Sequence, residues 1–572
     1  MIISSLEYTF PPRARVIERK AFRPSQSLKA VVEPKSTPFR SLSHYFLGIS
    51  FFDMGSLDLC LSASSFLLAL YLYLKKRNSL PLPPGPKGWP IIGNLLNMPT
   101  GGFEWKTYHE WSKKFDTDIL HIPVMGTNII VLGSHEAVFE LMEKRSSIYS
   151  DRARMPMINE LMKWSFNVGF MPYGEHWRKH RRFMHELLHP AAATRFYPHE
   201  LKATHNLLQR FLDEPDNILG NLRYMAGETI MSVAYGIDIK PKDDPYIQTA
   251  EEGVHGLVAA GVPGAFLVDM LPFLKYVPEW VPGAGFQKKA KEWARLTMIM
   301  LDMPFSAAKQ ALVEGNATHS VTSYGLQKLE ERTNEDAYGE DIIKATAGTL
   351  YSAGSDTTVS AISSCILALL ENPEILKKAQ VELDTDIKPG YLPDFDDMES
   401  LPYITAITME VLRWRDVVPI AIPRYMRVED EYKGYKIPKG SIVVPNAWAI
   451  LHDESEYSDP FTFIPERFLT KEGKINKNVR DPRTACFGFG RRICPARFMA
   501  FPAVWVAVAS IIYSFDIKQA VDEDGNVMEL SHEYSSALVI LPKPFKCSIK
   551  PRSEQHERTI RSAVLGHEFA AP

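Results

Sequence analysis

The sequence predicts a mainly α-helical protein with a small β region. Three observations carry that class. The longest helix-like run is Asp341–Leu370, its pattern interrupted by A-G-S-D-T-T at 353–358. A second apolar run, Phe498 to Phe515, follows a tight loop and has the make-up of a buried helix. β-like runs are short: Ile119–Val124, Asn128–Leu132, and hairpin strands within residues 421–440 around a Lys-Gly turn. Length alone, 572 residues, suggests roughly three or four domains.

Composition narrows the function classes. With 45% hydrophobic and 23% charged residues, the chain can bury a large core. A formal net charge of -3 gives no general pull toward nucleic acid, so none is expected as a partner. The cysteines, Cys60, Cys365, Cys486, Cys494 and Cys547, contain no C-x-x-C pair. That excludes a disulfide framework and a zinc ribbon, and it fits a catalytic body in a reducing compartment.

Residues 57–74 run L-D-L-C-L-S-A-S-S-F-L-L-A-L-Y-L-Y-L and end at Lys75, Lys76 and Arg77. The run is close to the ~20 residues that span a bilayer. Residues 54–77 are therefore read as a membrane anchor, the basic triplet keeping the body cytoplasmic. A cleaved signal peptide is the alternative, disfavoured because the basic residues follow the apolar run. Residues 1–53 are rich in Arg, Lys, Ser and Pro, and Met54 opens a sensible start. They are read as an N-terminal extension from a mis-assigned start, with a transit peptide as alternative. Residues 78–90, ending L-P-L-P-P-G-P-K-G-W-P, read as a stiff hinge holding the body at a set distance from the membrane.

In M-P-Y-G-E-H-W-R-K-H-R-R (171–182), Trp177 and Arg181 are four apart and share a helix face. Both can donate to a carboxylate. Arg178, Lys179 and Arg182 point elsewhere, as a basic surface or a plain solvated face. His185–His189, H-E-L-L-H, has the zinc-protease pattern, but Pro190 ends the helix and no G-x-x-H continuation follows. Gly253–Phe286 reads as short broken helices with exposed apolar tips, suited to lipid contact or to a plain core.

Gly354, in mid-helix, is read as room for a flat group or small ligand against the backbone, with Asp356 and Thr357 placed to relay protons. Glu410 and Arg413 are three apart and can pair, and P-E-R-F (465–468) adds Arg467. Such a cluster is architectural rather than catalytic. Finally Phe487–Ala496, F-G-F-G-R-R-I-C-P-A, combines turn-forming glycines with Cys494. Arg491, Arg492 and the helix behind are expected to favour its thiolate. Taken alone, Cys494 is either a one-sided metal ligand or a small buried hydrophobe.

Taken together and in order, these motifs resemble the cytochrome P450 family, most like its fungal, membrane-anchored members of secondary metabolism. The likeness covers about residues 80–550. The cysteine signature F-x-x-G-x-R-x-C-x-G is met by Phe487, Gly490, Arg492 and Cys494, with Ala496 replacing the last glycine. Ala353, Gly354, Asp356, Thr357 and Thr358 match the oxygen-activating helix motif. Glu410, Arg413 and Arg467 match E-x-x-R and its arginine partner.

The resemblance implies one large P450-fold catalytic domain over 91–550, with 551–572 as a C-terminal tail. It implies a haem-thiolate monooxygenase with haem b (iron protoporphyrin IX) held by Cys494 as axial ligand. Trp177, Arg181, Arg424 and Arg492 would neutralise the propionates, with Gly354 and Phe487 also at the cofactor. Asp356 and Thr357 would deliver protons to bound O2. With no nucleotide-binding loop in the chain, NADPH would act only indirectly, through a membrane-bound NADPH-cytochrome P450 reductase docking on Arg178, Lys179 and Arg182. The expected location is the endoplasmic reticulum membrane, by a single-pass anchor, with the catalytic domain cytosolic and in contact with lipid. A hydrophobic small molecule, a terpenoid or aromatic metabolite, is the expected substrate. Its pocket would be lined by Met155–Phe170, Gly256–Val268, Tyr351–Thr357, Val418–Ile422 and Ser535–Leu538. Two rivals remain: a non-catalytic haem-binding protein, which would not need Asp356 and Thr357, and a zinc hydrolase using His185 and His189.

Overall fold

The computed structural model describes residues 63–67, 80–99, 102–261, 264–331, 338–535 and 538–570. The extension 1–53 and most of the anchor 54–77 lie outside them. The chain divides into two units, Met1–Asn78 and Ser79–Pro572. In the first, residues 63–67 are helical and exposed.

The second unit is a single large, mostly helical body. Its principal helices are α1 (Glu175–Leu188), α2 (Tyr197–Asp213), α3 (Ile218–Tyr235), α4 (Pro245–Ala260), α5 (Gly285–Val313), α6 (Glu340–Glu371), α7 (Pro402–Trp414), α8 (Arg497–Ser514) and α9 (Glu554–Ala570). α6 opens with Glu340 and Asp341, whose negative charge suits a helix N-terminus. It ends at Asn372, just before Pro373. The 353–358 stretch does not break it. The helix runs continuously through Gly354 because neighbouring helices pack it on several sides, and burial outweighs local propensity. α6 and α8 are the described helices long and apolar enough to cross a membrane, but most of each is buried in the body. They are core helices.

The β region is small. A four-stranded sheet has the order β1 (Ile119–Val124), β2 (Thr127–Leu132), β6 (Ile442–Pro445), β3 (Arg424–Tyr425). β1 and β2 form an antiparallel hairpin, β2 runs parallel to β6, and β3 closes the edge with Arg424 opposite Val443. The 421–440 stretch thus divides: β3 joins this sheet, while β4 (Asp430–Tyr432) and β5 (Tyr435–Ile437) pair with each other. Lys433 and Gly434 turn between them, both at positive φ, as a tight two-residue hairpin requires.

Both boundary segments make contacts with the body. The proline-rich hinge is fastened along part of its length. The carbonyls of Pro81 and Pro84 accept the Lys436 and His121 N–H groups at 2.8 and 2.9 Å, pinning the segment to β5 and β1. Gly85 lies so close that a Cβ there would come within 2.0 Å of the His121 carbonyl oxygen. The C-terminal tail, 551–572, also packs on the body. Most of it forms α9, which buries Ile560 in the same core as α7 and α8, while Arg552 pairs with Asp384 at 2.6 Å. An apolar residue on an amphipathic turn gave the segment a face to bury.

Candidate functional site

The Phe487–Ala496 loop is held by its backbone. Gly488 and Gly490 adopt positive φ, and a Cβ on Gly490 would meet the Met142 carbonyl oxygen at 2.0 Å. The Gly490 N–H donates to Glu143 at 2.5 Å, and the Cys494 N–H donates to the Phe487 carbonyl at 2.8 Å. Cys494 therefore sits just ahead of the N-terminus of α8, where the Ala496 and Arg497 amides donate to its sulfur.

The cations beside it are not those expected. Arg491 turns to the Tyr173 hydroxyl, and Arg492 donates to the carbonyls of Ser150, Val168 and Met171 at 2.8, 3.0 and 2.7 Å. Arg181 and Arg497 face the sulfur instead. Burial is the larger influence and raises the thiol's pKa, while the amides and these two arginines oppose it. Without a metal, the loop does not favour a thiolate.

Cys494 opens on a cavity of about 370 Å³ with mainly apolar walls. Trp177, Arg181, Gly354, Asp356, Thr357, Arg424, Phe487 and Arg492 all line it. α1 delivers Trp177 and Arg181 from one face. The Trp177 ring lies 4.5 Å from the Arg492 guanidinium, and Arg181 donates to the Ile493 carbonyl at 2.5 Å. β3 delivers Arg424, which is buried. One of its nitrogens donates to the Phe489 carbonyl at 2.9 Å, but Nε and Nη1 have no partner among the described residues. Burial, then repulsion by Arg492, pushes Arg424 down to about 9; Arg492 also falls to about 9, by burial against the opposing pull of Asp151, and Arg181 falls to about 10, chiefly by burial. Arg152 is depressed for the same reasons.

On α6, Asp356 is raised by burial and pulled back by Arg223 of α3, which also acts on Glu251 of α4. The Thr357 hydroxyl donates to the Ala353 carbonyl at 2.9 Å, leaving its lone pairs toward the cavity side. Gly354 lines the cavity, and a Cβ there would also meet Ile230 of α3 at 3.1 Å, so the missing side chain lets α3 pack closely as well.

The cytochrome P450 profile matches residues 83–549. The chain belongs to the cytochrome P450 family. It is 46% identical over 509 residues to cytochrome P450 monooxygenase 98 of Postia placenta, covering 88% of this chain and 97% of that one. It is 40% identical to cytochrome P450 monooxygenase ple1 of Rhodocybe pseudopiperita, over 87% and 95% of the two chains. It is 39% identical to tryptamine 4-monooxygenase of Psilocybe cyanescens, over 83% and 94%. By family and by these relatives it is an oxidoreductase, a monooxygenase.

Haem is the cofactor that a P450 implies, and the residues present fit it. Arg424 offers two unpartnered buried donors, in a cluster with Arg152, Arg181 and Arg492 that has too few carboxylates of its own. Asp151 is committed to Arg427 and to the Tyr173 N–H, and Glu143 to Gly490. A dianionic planar group with a thiolate donor on one side answers both features. Ala496 lines the same cavity.

The other P450 motif sits apart. Glu410, Arg413 and Arg467 are buried outside the cavity and fully satisfied. Arg413 grips Glu410 at 2.7 and 2.8 Å and donates to the Leu451 and Pro460 carbonyls, while Arg467 reaches Glu410 at 3.1 Å. The H-E-L-L-H pattern does not assemble a metal site: α1 ends at Leu188, and Glu186 accepts the Tyr338 hydroxyl. Among the described residues no three His, Cys, Asp or Glu side chains group as metal ligands.

Each of the five predicted pocket segments contributes to the cavity wall, through such residues as Phe170, Leu257, Ser352, Ile422 and Leu538. Sequence reasoning missed Arg152 and the far end formed by Glu200 and Thr204 of α2. Nothing local marks them; only the meeting of distant helices does.

Proposed function

We propose that this P450 inserts one oxygen atom of O2 into a hydrophobic small molecule, a terpenoid or aromatic secondary metabolite. The observation that carries the reading is one mainly apolar cavity with Cys494 on one side and Asp356 with Thr357 on α6 beside it. Haem b bound there would be held by the Cys494 sulfur and would supply the chemistry of dioxygen activation. Arg424 and Arg181 would hold its propionates, and Trp177 keeps Arg492 stacked beside them. Asp356, raised by burial yet reached by the exposed Arg223, passes protons from the surface side to the Thr357 hydroxyl. Phe170, Val254, Leu257, Val418 and Ile422 exclude water from the reacting carbon. Such walls select an apolar body. The relative named tryptamine 4-monooxygenase supports the aromatic option, and the aliphatic walls support the terpenoid one.

Electrons come from NADPH through an NADPH-cytochrome P450 reductase, docking on Arg178, Lys179 and Arg182. Arg178 and Arg182 are exposed, and Arg178 is balanced by Glu175 at 3.0 Å. The reading places the body on the cytosolic side of the endoplasmic reticulum membrane, anchored by residues 54–77. The exposed Leu267, Phe273, Tyr276 and Trp280 support contact with lipid. A carbon monoxide difference spectrum of the reduced protein tests the haem-thiolate core: a thiolate-type Soret band is expected, and its absence overturns the reading. Incubating membranes and reductase with terpenoid and aromatic panels then tests the substrate class, by oxygenated product that depends on NADPH.

A further inference from the structure

Glu200 is the most unusual acid in the body. It lies on α2, one turn before Thr204, and both line the cavity that holds Cys494. It is 2% exposed, and neither carboxyl oxygen has a hydrogen-bond partner among the described residues. No cation faces it; burial alone lifts it well above the usual carboxyl range, and the Tyr197 phenol is the group that feels its charge. A buried carboxyl in that state keeps its proton. Ala226 and Thr229 of α3, Ala361 of α6 and Ala503 of α8 line the same cavity, as do Asp356, Thr357 and Thr358 of α6. A cavity of this volume with polar groups in its wall has room for water.

We propose that Glu200 is a proton reservoir at the far end of the cavity, supplying α6 by a route separate from Asp356. This rests on the monooxygenase reading. Oxygen insertion converts RH, O2, two electrons and two protons into ROH and water, the electrons coming from NADPH. One proton leaves the Glu200 carboxyl, crosses water beside Thr204 and Thr229, and reaches the Thr358 side of α6. The carboxylate left behind is unfavourable in its apolar surroundings, so it regains a proton from solvent water before the next turnover. Glu200 gives its proton through water and through α6, without touching the reacting atoms.

The test uses full-length holoenzyme with reductase and NADPH, and no added substrate, so that electrons divide between hydrogen peroxide and water. Wild type should show a protonated-carboxyl infrared band, shifted in D2O, that is perturbed when carbon monoxide is photolysed from the reduced haem. Glu200→Gln should lose that band and raise the peroxide-to-water ratio by roughly twofold or more, with Glu200→Asp returning both toward wild type. Either change without the other overturns the proposal, as does an unchanged Glu200→Gln enzyme. Should Glu200→Gln fail to take up haem, Glu200→Asp and the wild-type band decide: no exchangeable carboxyl band in wild type sinks it. Failure of the monooxygenase reading would show separately, as wild-type protein without a thiolate-type carbon monoxide band.

Discussion

Two clusters of buried arginines stand in this fold, and they are solved in opposite ways. Around Glu410, the chain supplies everything: one carboxylate, two guanidinium groups, and backbone carbonyls for the remaining donors. Around Arg424, the chain supplies the cations and withholds the counter-charge. Arg152, Arg424 and Arg492 repel one another, and two donors of Arg424 are left unused. The first cluster is closed and serves the fold. The second is open, which is a cost to the empty protein and fits the cluster to a dianion. Charge closure, more than burial or residue type, separates architecture from cofactor binding here.

The largest expected effect comes from opening the closed cluster. Arg413→Ala leaves the buried Glu410 with only Arg467 and the Ile464 N–H as partners, opens a cavity, and should cost about 3–5 kcal/mol, enough to abolish folded haem protein on expression. Recovery of soluble protein and its thermal midpoint check this. The open cluster should respond with the reverse sign. Arg424→Met removes a repelled, unsatisfied cation, so the empty protein should be as stable as wild type or more so. Haem affinity should fall by about 1.5–3 kcal/mol per lost charge-assisted hydrogen bond. Thermal melts of the empty protein and haem titration measure the two halves, and a parallel loss of both would break the contrast.

A third buried charge sharpens it further. Asp416 has an oxygen with no partner among the described residues, and burial pushes it up to about 7. The native state therefore binds more protons than the unfolded chain between the ordinary carboxyl value and about 7. Its contribution to stability is lost as pH rises through that window, by on the order of 4 kcal/mol. Asp416→Asn should flatten this slope, as read by denaturant melts across the window. The smallest effect belongs to surface charge, where water closes every pair. Reversing Arg178, Lys179 and Arg182 should leave the fold untouched and raise the reductase concentration for half-maximal turnover a few-fold. Unchanged turnover would remove the docking role.

Much of this contrast was legible in the sequence. Motif spacing named Cys494, Trp177, Arg181 and the Glu410–Arg413 pair, because one turn of helix or one tight loop determines which side chains meet. It did not show which cations face Cys494. Arg491 and Arg492 are adjacent in sequence, but the loop aims them at Tyr173 and at carbonyls, while Arg181 arrives from a distant helix. Gly354 was legible only in part: a glycine announces a close approach without saying what approaches, and here Ile230 is one such neighbour. Glu200 carried no signal at all. A glutamate in an amphipathic helix reads as solvent-facing until packing shows which face is covered.

The proline segment ahead of the body has a mechanical consequence. Its carbonyls are fastened to two different strands, at His121 and at Lys436. A tether fixed at one point can swivel, but one fixed at two cannot. Residues 81–85 are therefore held against β1 and β5 rather than hanging as a slack linker. Since β1 belongs to the sheet that ends in Arg424, a disturbance of this fastening has a short path to Arg424. Shortening the chain from the front should stop before Leu80, or it removes part of that fastening.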